Sequence, residues 1–328
     1  MTLSYSPDLL RKLFSMMCLI RFVEESFVEP INNREVLCPC HLYSGQEAIA
    51  AGLGVSLRSE DLAFGTHRSH GHYLAKGGNI DAMVAEIYCR ETGCSKGRGG
   101  SMHLVAPREG FLGAAPIVGG TISLALGAAY AISVRRQKAV ALSFFGDGAT
   151  GEGVLFETMN FAALKKLPLI LCCENNLYST HMAIREMRHK PDIHDIAPPQ
   201  GVASRQVDGN DVFACYEAGK WAVEHCKAGY GPVFLEFMTY RQRGHVGPDD
   251  NIQGTRTDIR PAEEIESWRK RDPLAVFEAH VLQNNLLSSA EIQQIKTETQ
   301  KRVVEAHHKA RSAPFPDGKE VSNFVFTN

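Results

Sequence analysis

No apolar run in the 328-residue chain approaches the roughly 18 residues that a membrane-spanning helix needs. The opening MTLSYSPDLLRKLF also lacks the charged-then-apolar order of a secretion signal, so neither membrane insertion nor export is expected and a cytoplasmic location is. Net charge is scarce too. A formal −2 at pH 7 gives no field that would hold a nucleic acid backbone or an anionic bilayer, which leaves small-molecule chemistry or protein partners. The nine cysteines are an odd, scattered count, several in apolar stretches such as Leu171-Cys172-Cys173, and this suits reduced core thiols rather than a disulfide framework. Cys38-Pro39-Cys40-His41 is metal-like in composition, but without a well-spaced second pair it reads as a plain loop. Internal repeats and low-complexity segments are absent.

What is there is an ordinary globular balance, 44% apolar and 22% charged, in a chain long enough to bury a large core. Apolar positions at helical spacing predict a helix over 7–29. Ser44-Gly45-Gln46-Glu47 has the form of a capping box, which predicts that Glu47 caps a helix rather than acting as an acid. Residues 65–120 are rich in glycine, histidine and basic residues, a long irregular region of the kind that carries sites, interrupted by a helix around 83–88. A small-residue helix follows over 121–134, then a buried strand over 138–145, a helix over 153–166 stopped by Pro168, and a strand over 169–173. The alternation repeats with Gln206-Val207, a helix over 211–228 and a strand over 232–237. The expected fold is therefore α/β, a doubly wound, mostly parallel sheet. Residues 239–258 read as a mobile loop, and the chain ends in charged amphipathic helix that includes a second capping box, Ser288 to Glu291.

The stretch FFGDGATGEG, residues 144–153, contains a formal match to the dinucleotide fingerprint in Gly146, Gly148 and Gly151. A bare dinucleotide site would also need an acid about 20 residues on for the ribose, a place that Glu174 could take. Asp147 and Glu152, however, put negative charge where a pyrophosphate would lie. A divalent ion removes that conflict. If the strands ending at Asp147 and at Glu174-Asn175-Asn176 are neighbours, a carboxylate and an amide oxygen meet around one cation of the magnesium or calcium type. A structural strand-helix turn is the remaining reading.

Gly146-Asp147-Gly148, followed after 26 residues by Asn175-Asn176, resembles the thiamine diphosphate motif. The resemblance runs from about residue 10 to 300, through HLYSGQEA (41–48), THRSHG (66–71), KGRGGSMH (96–103), IVGG (117–120), ENNLY (174–178), VDGND (207–211) and TYRQRGH (239–245). It is to the alpha subunit of the decarboxylating component of 2-oxoacid dehydrogenase complexes, of the pyruvate, branched-chain and acetoin types. HVGPDD after residue 244 and GTHRSHGHYLAKGG look more like the bacterial acetoin-type relatives.

That resemblance implies one thiamine diphosphate-binding domain over 1–328, with 261–328 a helical extension. It implies Mg2+ held by Asp147, Asn176 and the carbonyl of Tyr178, and a diphosphate held by Gly146, the amides of Gly148 and Ala149, and Arg68. His67 stands where a tyrosine is common, and Pro116 where a glycine is frequent; Ile117, Val118 and Gly119 would touch the pyrimidine and the bend of the cofactor. Loss of carbon dioxide from a 2-oxo acid and acyl transfer to a lipoyl disulfide need proton donors near neutrality. The resemblance gives that work to His103 and His245, with His245 also at the cofactor, His41 on the substrate side and His70 as a further candidate. It further implies a beta subunit in an α2β2 assembly, because the glutamate that activates the pyrimidine lies on that other chain, and a lipoyl-domain acyltransferase as acceptor. Substrates would be a small 2-oxoacid or acetoin. A carboligase or decarboxylase without lipoamide, and a silent assembly subunit, are the alternatives. Val246 occupies the position of the regulatory serine of the mitochondrial pyruvate type, so kinase control there is not expected.

Overall fold

The computed structural model describes residues 5–248, 258–320, 322 and 323. Part of the expected loop over 239–258, and the Asp249-Asp250 end of HVGPDD, lie outside them. Among the described residues eight strands are formed: β1 Leu62–Gly65, β2 Phe111–Ala114, β3 Ala141–Gly146, β4 Leu169–Asn175, β5 Tyr178–Ser179, β6 Met182–Ala183, β7 Ala203–Asp208 and β8 Val233–Met238. The α-helices are α1 Pro7–Ser26, α2 Val28–Asn32, α3 Glu47–Ser56, α4 His70–Ala75, α5 Ile80–Ile87, α6 Gly120–Val134 and α7 Gly153–Lys165, then α8 Ile184–Met187, α9 Val212–Lys227, α10 Ala262–Arg269, α11 Pro273–Gln283 and α12 Ser289–Ser312. None of the described helices is long and apolar enough to cross a membrane.

Six strands make one sheet in the order β2-β1-β3-β4-β8-β7, every pairing parallel, while β5 and β6 form a small antiparallel hairpin beside it. The expected doubly wound fold is what forms. Both faces of the sheet are covered, so its central strands are mostly apolar rather than alternating with polar residues. In β4, Ile170 and Cys172 join the core shared with α1, α3, α9 and α12, while Leu169, Leu171 and Cys173 face the core under α6 and α7. The first face is several helices deep, and the second, under α6 and α7, also takes in Ile184 of α8 and the segment with Ile193, Ala197 and Val202.

β2 lies inside the region read as irregular, and β1 ends where that region begins. Each has four residues, too few to show a period among the glycines and histidines around them. The capping box at Ser44 does not form. Arg21 of α1 reaches both oxygens of buried Glu47, at 2.6 and 3.0 Å, and also meets Asp272 at 2.8 Å. A bidentate charge-assisted pair outcompetes a reciprocal amide cap, so the Ser44 hydroxyl donates instead to Glu25 at 2.7 Å. The second box, Ser288 with Glu291, forms as its sequence predicts.

α12 is locked onto α1 and α5 by a buried histidine. His307 meets the Ser26 hydroxyl through Nε2 at 2.7 Å and the Tyr88 hydroxyl through Nδ1 at 3.0 Å. Burial pulls its pKa from 6.5 down to about 4. An unfolded chain therefore takes up this proton first as the pH falls, and the stability present above pH 6.5 is lost on the way to about pH 4. The contribution is at most about 3 kcal/mol. Thermal unfolding midpoints followed over that window should fall less steeply for His307→Gln than for the wild type; an unchanged slope would contradict the assignment.

Candidate active site

Parallel strands bring their C-terminal ends to one edge, and ligands collect there where the strand order reverses. β3 has β1 on one side and β4 on the other, and the segments leaving β1, β2, β3, β4 and β8 meet above it. They enclose a cleft that is open to solvent on one side. Its walls are Thr66 to Arg68 after β1, Ala115 and Ile117 to Gly119 after β2, Gly146 to Ala149 after β3, Glu174, Asn176 and Tyr178 to Thr180 after β4, and Arg241 and His245 after β8.

On the β3–β4 side of the cleft Gly146 pairs with Glu174 in register, which places Asp147 and Asn176 just beyond adjacent strand ends. Asp147 accepts the Gly148 amide on Oδ1 at 3.0 Å. Its Oδ2 is buried with no protein partner, and so is Oδ1 of Asn176, whose amide nitrogen donates to Gln46 at 3.2 Å. Burial pushes the Asp147 carboxyl up to about 6, against the pull of Arg241 and the Gly148 amide. Two orphaned oxygens of the hard type, facing the same cleft, fit a divalent cation. Gly148 packs so closely on the β5 hairpin that a Cβ would lie 2.3 Å from the Ser179 hydroxyl. No side chain can stand there, and the backbone lies open to a ligand.

Glu174, the acid a bare dinucleotide site would need, is already engaged. Its Oε1 accepts from the Tyr43 hydroxyl and from His72 at 2.8 Å, and His72 stacks on Phe144 with ring centres 3.8 Å apart. Asn175, the last residue of β4, donates to buried Glu236 at 2.7 Å and accepts the Leu177 amide at 3.2 Å.

The opposite side is cationic. Arg68 and Arg241 are both buried. Arg68 donates to the carbonyls of Leu42 and His245 at 2.7 and 2.9 Å, and Arg241 to that of Thr180 at 3.1 Å. Burial, reinforced by Arg241, lowers Arg68 to about 9, still protonated at neutral pH. Both guanidiniums also point at Nδ1 of His245, at 2.9 Å from Arg241 and 3.3 Å from Arg68. Donors on Nδ1 place the neutral ring's proton on Nε2.

His41, His67 and His245 bring one ring nitrogen each within 4.8 Å of the others. Burial, with the neighbouring guanidiniums, lowers His41 to about 2 and His67 to about 3, and takes His245 lower still. Three neutral imidazoles could ligate a metal in isolation, but two adjacent guanidiniums repel a cation. The corner suits an anion or a polar carbonyl.

The sequence-predicted residues thus divide. Arg68, His67, Ile117, Val118, Gly119, Gly146, Asp147, Gly148, Ala149, Asn176, Tyr178 and His245 all line the cleft, and His41 packs behind His67 and His245, with ring centres 4.6 and 5.1 Å away. His70 and His103 are not in the lining. His70 is buried with Nδ1 on Glu24 at 2.9 Å and Nε2 on the Ser101 hydroxyl at 2.8 Å. His103 is exposed, its Nδ1 on the Gly99 carbonyl at 2.9 Å. Arg241 and Gln46 were not singled out from the sequence, although both fall inside quoted motifs; a buried arginine is invisible without the strands that surround it.

A family model described as Dehydrogenase E1 component matches residues 15–319. The chain is similar to the pyruvate dehydrogenase E1 component subunit alpha of Porphyra purpurea, 35% identical over 323 residues that cover 96% of this chain and 92% of the relative. The subunit of the same description from Rhizobium meliloti (strain 1021) is 36% identical over 311 residues, 94% of this chain and 88% of that one. The mitochondrial subunit of Dictyostelium discoideum is 39% identical over 290 residues, 88% and 74% respectively.

Proposed function

This chain belongs to the dehydrogenase E1 component family, whose members depend on thiamine diphosphate, and from that premise we propose that it is the alpha subunit of a magnesium-dependent enzyme that decarboxylates a small, pyruvate-like 2-oxo acid and passes the acyl group to a lipoyl carrier. The observation that carries the reading is the pair of orphaned buried oxygens, Asp147 Oδ2 and Asn176 Oδ1, at adjacent strand ends. With the Tyr178 carbonyl they would hold Mg2+, and the ion would neutralise the diphosphate against the carboxylate. Gly146 and the amides of Gly148 and Ala149 would lie against the diphosphate, with Arg68 supplying a charge-assisted bond. Ile117, Val118 and Gly119 would support the rest of the cofactor.

When bound, the cofactor supplies the carbon nucleophile and the electron sink. The chain's own residues bind, orient and handle protons. His245, kept neutral with its proton on Nε2, donates from that atom to an oxygen of a ligand in the cleft. His41 and His67 extend the neutral donor surface on the substrate side, where an imidazolium would be repelled by Arg68 and Arg241. His70 holds α4 to α1 through Glu24, and His103 would contribute from an exposed loop outside the cleft lining.

What the cleft holds supports beta-subunit dependence. Glu174, the acid that lines it besides Asp147 among the described residues, is committed to Tyr43 and His72, which fits a partner that furnishes the group activating the pyrimidine. The purified chain, given Mg2+, thiamine diphosphate, a panel of 2-oxo acids and acetoin, and an artificial electron acceptor, should show no turnover, and co-expression with a beta-type chain should restore it. Turnover by the single chain would refute the proposal. Carboligation products without need of a lipoyl domain would favour the carboligase reading, and an assembled but inert complex the silent one.

A further inference from the structure

Gln46 stands just before α3, fully buried and outside the cleft lining, yet its Oε1 accepts from the Asn176 Nδ2 at 3.2 Å. Its own Nε2 has no partner among the described residues. Leaving a buried amide donor in that state costs about 1–3 kcal/mol, which an aliphatic side chain of the same size would not incur. The amide is explained by what its oxygen does.

The chain on both sides of Gln46 is pinned. Gly45 lies at φ 101°, where a Cβ would stand 2.3 Å from the Tyr240 carbonyl, and its amide donates to both oxygens of Glu47 at 3.0 and 3.1 Å. Arg21 of α1 clamps that same carboxylate, and the Gln46 amide donates to the Tyr43 carbonyl at 3.1 Å. The stretch whose capping box does not form thus has another outcome. It presents the Gln46 side chain to Asn176 from a fixed backbone.

Which end of the Asn176 amide faces the cleft decides whether a cation can bind there. A primary amide is nearly symmetric in shape, and the contact would survive if both side chains turned over, with Gln46 Nε2 donating to Asn176 Oδ1. The cleft would then meet an NH2, which has only donors, instead of an oxygen that can ligate a hard cation. The state with the oxygen outward requires an acceptor at position 46. We propose that Gln46 is a positioning residue for the cation, its Oε1 holding the Asn176 nitrogen so that Asn176 Oδ1 is turned to the ion. This rests on the magnesium reading above. Gln46 acts through Asn176 and touches neither ion nor substrate.

The test compares wild type, Gln46→Glu, Gln46→Met and Asp147→Ala, each co-expressed with the beta-type chain and titrated calorimetrically with thiamine diphosphate at stepped Mg2+ concentrations. Thermal unfolding of each ligand-free assembly is followed alongside. Gln46→Glu keeps an acceptor toward Asn176 and should bind the cofactor at wild-type Mg2+ concentrations. Gln46→Met fills the space without one and should need about 10- to 100-fold more Mg2+, the usual scale for an outer partner of a metal ligand. Saturating ion should restore its cofactor binding, since Asp147 and Asn176 both remain. A merely structural role would lower the unfolding midpoint without moving the Mg2+ requirement. A wild-type Mg2+ requirement in Gln46→Met would overturn the inference, and so would a Gln46→Glu assembly as impaired as Gln46→Met. Should Gln46→Met not assemble, Gln46→Glu decides: a wild-type requirement supports the acceptor role, and a raised one overturns it. Loss of Mg2+-dependent binding in Asp147→Ala beside an unaffected Gln46→Met would confine the failure to the inference. Cofactor binding by the wild type without Mg2+ would overturn the magnesium reading and the inference together.

Discussion

Replacing Asp147 with alanine is expected to abolish magnesium-dependent binding of thiamine diphosphate in the assembled enzyme while leaving the ligand-free chain about as stable as before. The two effects have opposite origins. In the ligand-free chain the carboxylate is buried with Oδ2 unpartnered, a desolvated group that contributes one hydrogen bond, to the Gly148 amide. Removing it costs that bond and relieves the burial penalty, so the net change is within about 1 kcal/mol. In the loaded enzyme the same oxygen would bond the ion that separates negative diphosphate from negative protein. Loss of outer partners of metal ligands already costs about 10- to 100-fold in affinity, and loss of a ligand itself should exceed that. Calorimetric titration of the co-expressed assembly with thiamine diphosphate, with Mg2+ and with a chelator, reads the difference. Wild-type heats in Asp147→Ala would show that the ion sits elsewhere. Asn176→Ala should behave in the same way, since its Oδ1 is the facing orphan.

The region around Asp147 was legible because it is built from long apolar runs interrupted by one glycine-rich turn. β3, α7 and β4 each declare themselves by length and composition, and the 26-residue spacing then sets Asp147 opposite Asn176. What failed to show is what depends on partners distant in sequence. Ser44-Gly45-Gln46-Glu47 is a sound capping box in isolation, but Arg21, 26 residues earlier, takes the glutamate. His70 reads as a site residue beside His67 and Arg68, yet α4 begins there and turns its ring away from the cleft into Glu24 and Ser101. Arg241 looks like any arginine until four strand ends close around it. The glycines of KGRGGS read as a site loop by composition, whereas their amides turn inward onto one carboxylate.

That carboxylate belongs to Glu86, and Glu86→Gln is expected to be among the most destabilising isosteric changes in the chain. Glu86 is fully buried on α5 and its oxygens accept four backbone amides, Ser95 at 2.7 Å and Gly97 at 2.9 Å on one, Gly99 at 2.7 Å and Gly100 at 3.0 Å on the other. Four amide donors replace much of the water that a buried carboxylate gives up. Glutamine has nearly the same shape, but its NH2 would be set against two N–H donors and its remaining oxygen carries no charge. With charge-assisted bonds worth about 1.5–3 kcal/mol each and two of them turned repulsive, the loss should be about 3–5 kcal/mol. Gly97 and Gly100, at φ 70° and 62°, hold the left-handed turns that aim the amides at Glu86, so the loop cannot easily find another shape. Denaturant unfolding should show the loss, and Glu305→Gln on the exposed face of α12 should be near neutral. The same loop carries His103, whose carbonyl accepts the Ser95 hydroxyl at 2.9 Å, so disorder there reaches a histidine proposed for the proton chemistry without touching the cleft. An assembled Glu86→Gln enzyme should therefore keep cofactor affinity better than turnover, a split opposite to that of Asp147→Ala, and equal losses of both would place the damage in the fold as a whole.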